Sequence, residues 1–245
     1  MRVIFHVPHD GDVFPDELMK SVVISKDIFT KYHYKMSDKF VTKLVSGIDK
    51  TQIITFPVSR LLCDVEKYLE NEEMDQFGMG YYYTKAFDGK VIKNRNEQLE
   101  EITKGYYTDH HESFRRLIEG VNEDVVILDI HSFREDIVVN TKYDSKVKLP
   151  DVDLGWEEGT CPKWLKGLAE ETFISKGYKI SHNYPYSGSF IPDLGNEWLK
   201  NNKCYSIMLE INKDTYMDKE KYDLEKGKKI KTCITEIVEK IALME

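Results

Sequence analysis

The chain has 245 residues, enough for one large α/β domain or two small ones. With 35 Lys+Arg against 43 Asp+Glu it carries a formal charge of -8, which argues against counterion-release binding to nucleic acid. No apolar run approaches the roughly 18–20 residues of a membrane span. A His-containing motif by residue 6 comes too early for a signal peptide. Cys63, Cys161, Cys204 and Cys233 form no CxxC pair, so reduced thiols and a cytoplasmic location are expected.

The elements alternate between strand and helix patterns. Val3-Ile4-Phe5-His6-Val7 is a short apolar run stopped by Pro8, the pattern of a buried strand. Ser37-Asp38 reads as a helix start, with Phe40, Val41, Leu44 and Val45 spaced for one apolar face. Residues 53–58 read as a second strand, and 79–84 as a third entered through Gly78-Met79-Gly80. The charged, periodic stretch 94–119 predicts one long helix or two short ones. Residues 125–130, Val-Val-Ile-Leu-Asp-Ile, form the most apolar strand. A polar loop follows through 158, then a helix over 162–175 ended by Gly177 and a strand at 178–182. A helix at 191–201, a strand at 205–211 and an amphipathic helix at 224–242 complete the series. Such alternation predicts a largely parallel or mixed sheet covered by helices, in one domain spanning 1–245.

In open α/β sheets the functional crevice lies beyond the carboxyl ends of strands. Three predicted strands end on groups suited to metal chemistry: the first runs into Pro8-His9-Asp10-Gly11-Asp12, the second into His131-Ser132, and the third into Glu210. As sheet neighbours they would bring two imidazoles and a carboxylate together, a donor set that suits Zn²⁺. Asp12, Asp38, Asp64 and Asp129 are the candidates for a further carboxylate ligand, and spacing does not separate them. Taken singly, each of these residues has a plainer role: a turn at His9, a pair between Glu210 and Lys213, a helix cap at Asp38. His6, His33 and His182 are read as structural, and Arg60 as able to pair with Asp64 four residues on.

The motifs resemble those of the N-formylglutamate amidohydrolases, relatives of the zinc carboxypeptidases and aspartoacylases. Pro8-His9-Asp10-Gly11 with Phe14-Pro15 resembles the family's opening loop, and Asp38 with Leu44 its early helix. Ser59-Arg60-Leu61 with Asp64-Val65-Glu66 is similar to its Ser-Arg-Leu-x-x-Asp-Val segment, and 78–89 to its glycine-rich hairpin. Further on, Asp129-Ile130-His131-Ser132, Pro150-Asp151 through Leu154-Gly155, Asn183-Tyr184-Pro185-Tyr186-Ser187-Gly188, and Leu209-Glu210-Ile211-Asn212 with Tyr216-Met217 resemble later motifs in the same order. The departures are Lys67 and Lys213 where arginine is usual, Asp10 and Ser189 where Ser and Gly are common, and His110 in place of an aromatic before His111.

The resemblance implies a single-domain three-layer sandwich of the zinc-carboxypeptidase-like or phosphorylase-hydrolase-like kind. Its mixed, mostly parallel twisted sheet would carry helices on both faces. It implies one Zn²⁺ per chain held by His9, Asp38 and His131, with Asp12 as the close alternative to Asp38. Glu210 would be general base and then acid, and Arg60 an electrophilic partner or a grip on a substrate carboxylate. Asn183, Tyr186 and Gly188 would line the acyl pocket, Lys213 would meet a substrate carboxylate, and Ser132 would steady the metal's surroundings. The implied substrate is a small anionic N-acyl amino acid, N-formyl-L-glutamate first, with no nucleic-acid or membrane partner. A peptide or cell-wall amide, or a relative that binds without cutting, are the rival functions.

Overall fold

A computed structural model describes residues 1–138 and 144–244. The strands are β1 (Arg2–Val7), β2 (Thr51–Thr55), β3 (Val125–Phe133), β4 (Val152–Gly155), β5 (Ile180–His182), β6 (Cys204–Asn212), β7 (Met217–Asp218) and β8 (Lys221–Tyr222). The helices are α1 (Asp16–Met19), α2 (Lys26–Met36), α3 (Val41–Val45), α4 (Glu97–Glu119), α5 (Lys163–Ser175), α6 (Asn196–Leu199) and α7 (Leu224–Ala242). They form two compact units, one of residues 1–7, 40–54 and 115–245, the other of 8–39 and 55–114.

The first unit holds a six-stranded sheet in the order β2-β1-β3-β6-β4-β5. β3 pairs in parallel with β1 and β6, and β4 is antiparallel to β6 and parallel to β5. The sheet is therefore mixed and mostly parallel, the α/β class expected. All nine residues of β3 are buried, which accounts for the unbroken apolar run in its sequence: a strand flanked by parallel neighbours has no solvent face to show as alternation. Alternation instead sorts its residues between two faces. Val3, Phe5 and Val7 of β1, Val126, Leu128 and Ile130 of β3, Val152 and Leu154 of β4, and Ile207, Leu209 and Ile211 of β6 pack in one core with α3, α5 and α7. The opposite face carries His6, Asp129, His131, Asp153 and Glu210.

The closing helix α7 has the predicted limits because every signal for it is local. Asp223 caps it by accepting from the Lys226 amide at 2.9 Å. Ile230, Cys233, Ile234, Ile237, Val238 and Ile241 then fall on one buried stripe. Each buried isoleucine there contributes roughly 2–3 kcal/mol.

The second unit has few regular elements. Residues 79–84 are not a strand: the segment runs through bends and irregular backbone, followed by an isolated bridge between Lys85 and Val91, with Tyr82 and Tyr83 buried. Burial of those side chains produces the strand-like composition without strand pairing. Helix α2 goes unmarked by the sequence periodicity because one of its three buried positions is His33, bonded to Ser59 Oγ at 2.9 Å. Three further differences concern lengths. The predicted loop through 158 contains β4, and its residues 139–143 lie outside the described ones. The predicted helix 191–201 is reduced to α6, and the predicted strand at 53–58 is β2, two residues earlier at its start. Among the described residues no helix is long and apolar enough to cross a membrane.

Candidate active site

In the second unit, chemistry gathers around His9. The chain leaves β1 into Pro8-His9, and the Asp38 amide donates to the His9 carbonyl at 2.9 Å. Gly11 makes the turn possible: a β-carbon there would lie 2.3 Å from the Phe56 carbonyl oxygen, so only glycine fits. Asp38 is not at a helix start as expected; it lies in the short link between α2 and α3, buried, with Oδ2 3.5 Å from His9 Nδ1. Asp12 is exposed, so of the two candidate carboxylates Asp38 is the one beside His9.

The other ring nitrogen, His9 Nε2, lies 2.8 Å from Asp64 Oδ1. Asp64 is fully buried and also accepts from Arg60 Nη2 at 2.8 Å, Arg60 Nε at 3.2 Å and the Glu66 amide at 3.0 Å. Burial alone would raise the Asp64 pKa, but attraction to His9 and Arg60 and the His9 hydrogen bond outweigh it and hold the carboxyl well below the usual range. An ionised carboxylate only accepts, so His9 must present its Nε2 hydrogen to Asp64. Nδ1 then faces Asp38 Oδ2 across 3.5 Å.

Arg60 therefore joins its i+4 partner Asp64 in a buried pair rather than a surface one. It also reaches toward Asp38 Oδ1 at 3.9 Å and bonds the Met36 carbonyl at 3.4 Å. Burial works against its charge, but Tyr83, Asp64 and Asp38 raise its pKa well above the ordinary value and keep it cationic. His111 packs on Tyr107 with centroids 4.1 Å apart and bonds the Val65 carbonyl at 2.8 Å, a packing role.

In the first unit, strand register assembles the other group. His131 of β3 lies directly opposite Glu210 of β6, which lies opposite Asp153 of β4. All three are buried and share the face away from the helix-packed core. β1, β3 and β6, the strands that carry or precede the three motifs, are adjacent in the sheet. Asp129, two residues before His131 on the same face, lies 3.2 Å from His131 Nε2, 3.0 Å from His6 Nδ1, and accepts from the Phe190 amide at 3.3 Å. It orients imidazoles, and His6, set aside as structural, is thereby tied to the carboxylate that holds His131. Ser132 falls on the opposite face from His131, buried, and among the described residues its Oγ has no hydrogen-bond partner. Strand alternation thus turns Ser132 away from His131.

The 183–188 turn sits at the end of β5. Asn183 has φ 54°, a left-handed conformation that asparagine tolerates. Its Oδ1 accepts from the Trp156 amide at 2.8 Å and the Gly188 amide at 3.2 Å, and its Nδ2 donates to the Trp156 carbonyl at 3.0 Å. These bonds commit the amide to building the turn, the plainer of the roles the sequence allows. A β-carbon on Gly155 would lie 2.3 Å from the Gly188 carbonyl oxygen, so the turn closes onto β4 only because position 155 is glycine. Tyr186 packs edge-on against Phe133, centroids 6.2 Å apart, at the end of β3. Lys213 is buried and opens the 3₁₀ turn Lys213–Thr215 that follows β6. Asp153, embedded in a strand too short for the sequence to announce, is the site residue that sequence reasoning missed.

Solved structures share the fold. The crystal structure of N-formylglutamate amidohydrolase from Ralstonia eutropha matches with TM-score 0.79 and 20% identity, over 98% of this chain and 92% of that one. A gene product of Agrobacterium tumefaciens matches with TM-score 0.67 and 15% identity, over 98% and 90% of the two chains. None of the curated proteins matches the sequence significantly. The family model described as N-formylglutamate amidohydrolase matches residues 1–217. The chain belongs to that family of amide hydrolases.

Proposed function

We propose that the protein is a zinc-dependent, cytoplasmic hydrolase of a small anionic N-acyl amino acid, acting on N-formyl-L-glutamate to release formate and L-glutamate. The observation that carries this reading is the family match over residues 1–217, which includes His9, Asp38, Arg60, His131, Glu210 and Lys213. His9, Asp38 and His131 are the proposed ligands of one Zn²⁺ per chain. The donor set fits, since two imidazoles and a carboxylate suit that ion. Each imidazole also has a carboxylate at its Nε2, Asp64 for His9 and Asp129 for His131, the outer support that metal-binding histidines use. When bound, the ion supplies Lewis acidity, polarising the scissile carbonyl and acidifying a water.

Glu210, on the same rung as His131, takes a proton from the attacking water at a carboxylate oxygen and returns it to the leaving nitrogen. Arg60 acts by fixing the Asp64 carboxylate that orients His9, and its cation lies 3.9 Å from Asp38. Lys213 offers the substrate carboxylate a cation, as a point charge rather than arginine's planar fork. Tyr186 and Gly188 line the pocket, with Asn183 building their turn. The four cysteines are free thiols, which fits a reducing compartment.

The test is elemental analysis of protein purified without chelators, paired with formate release from N-formyl-L-glutamate. One zinc per chain and formate release are expected, with the metal lost in His9→Ala and in His131→Ala. A protein that binds no zinc and releases no formate after zinc is added would overturn the reading.

A further inference from the structure

Asp153 lies opposite Glu210 in the antiparallel β4–β6 pair, on the face that carries His131 one strand further. It is fully buried, and burial pushes its pKa up to about 6 despite hydrogen bonds that favour the charged form. Two carboxylates directly opposite on adjacent strands are unfavourable, and a buried one is costly unless its lone pairs are used. Here they are used on a single segment. Oδ1 accepts from Ser181 Oγ at 2.8 Å and from the Tyr184 amide at 3.1 Å, and Oδ2 accepts from the Tyr186 amide at 3.1 Å. Both backbone amides belong to the turn whose Tyr186 ring packs on Phe133, two residues past His131.

We infer that Asp153 is a positioning residue: by gripping the backbone at Tyr184 and Tyr186 it fixes Tyr186 beside the His131–Glu210 rung. It thereby sets how tightly the N-acyl amino acid is held rather than how fast its amide is cut. This rests on the hydrolase reading above. A side chain with two acceptor oxygens is required, because an asparagine that keeps its oxygen toward Ser181 and Tyr184 turns an NH₂ group against the Tyr186 N–H. In the flipped orientation the NH₂ group opposes the Tyr184 N–H instead, so either way the substitution releases one of the two backbone amides. Ser181→Ala removes the hydroxyl that reaches both Asp153 Oδ1 and the Tyr184 carbonyl but leaves both backbone amides held by the carboxylate, so it controls for losing the serine's own contacts.

The experiment is steady-state kinetics on N-formyl-L-glutamate with Asp153→Asn and Ser181→Ala, alongside thermal melts and amide hydrogen exchange at Tyr184 and Tyr186. Asp153→Asn is expected to raise KM about tenfold, about 1.4 kcal/mol, with kcat within about threefold of wild type. Ser181→Ala should leave KM within about twofold. An unchanged KM in Asp153→Asn, or equal KM changes in the two variants, would overturn the inference. If the wild type cuts no N-acyl amino acid, the hydrolase reading falls on its own. Exchange at Tyr184 and Tyr186 then decides the grip: faster at either in Asp153→Asn but not in Ser181→Ala supports it, and unchanged exchange at both removes it.

Discussion

Replacing Asp64 by asparagine removes a charge and one acceptor oxygen from the centre of the His9 cluster without changing its shape. In the wild type, Oδ1 serves His9 Nε2 and the Glu66 amide while Oδ2 serves both Arg60 contacts. Asparagine has one acceptor oxygen for these two sides. With that oxygen toward Arg60, the NH₂ group meets His9 Nε2, which must become an acceptor. The proton then sits on Nδ1, the nitrogen facing Asp38, and the lone pair for a metal is gone. With the oxygen toward His9, the NH₂ group opposes two guanidinium N–H groups and leaves Arg60 poorly paired. Breaking a buried pair costs about 3–5 kcal/mol, and the low end applies because the Arg60 side chain keeps 17% exposure.

Losing the support behind a metal-binding histidine costs about 10–100-fold in affinity. The assays are a zinc competition titration against a chelator and urea unfolding of the metal-free protein. Stability of the metal-free protein should drop by about 3 kcal/mol at neutral pH. Since the folded-state pKa of Asp64 is depressed, the wild-type advantage is full above the unfolded value of about 3.9 and is lost as pH falls below it. Asp64→Asn protein with wild-type zinc affinity would refute the argument that Asp64 sets the His9 tautomer.

Glu210→Gln should keep its metal and lose about 10²–10⁴-fold in kcat; near wild-type turnover would remove Glu210 as the general base. Lys93 offers a test of burial alone. It is 1% exposed, 3.0 Å from the Leu62 carbonyl and 3.8 Å from the Tyr82 ring centroid, and burial lowers its pKa to about 7. Against an unfolded value near 10.4, charging it in the folded state costs about 3–5 kcal/mol at pH 7 and below. Lys93→Met removes that cost and loses about 1 kcal/mol for the hydrogen bond and about 1 for the ring contact. The variant should be more stable by about 1–3 kcal/mol at pH 6–7. Its gain should shrink as pH rises from 7 toward 10.4, where the wild-type lysine becomes neutral in both states. A less stable variant at pH 7 in denaturant titrations would contradict this.

What the sequence determines by itself are features written within a few residues of each other. β3 is legible because burial on both faces leaves an unbroken apolar run, and α7 because its cap and its stripe are both local. His9, His131 and Glu210 are legible as polar groups closing apolar strands, and the motif order identifies the family. Only the tertiary structure decides the rest. It sets Glu210 between His131 and Asp153 through strand register, separates Ser132 from His131 by one step of alternation, and chooses buried Asp38 over exposed Asp12 beside His9. It also turns Arg60 and Asp64 from a plausible surface pair into the buried support of His9, and commits Asn183 to its turn. Strand propensity and capping act over a few residues, whereas register and burial join segments as far as 123 residues apart, and no local pattern records which of them will meet.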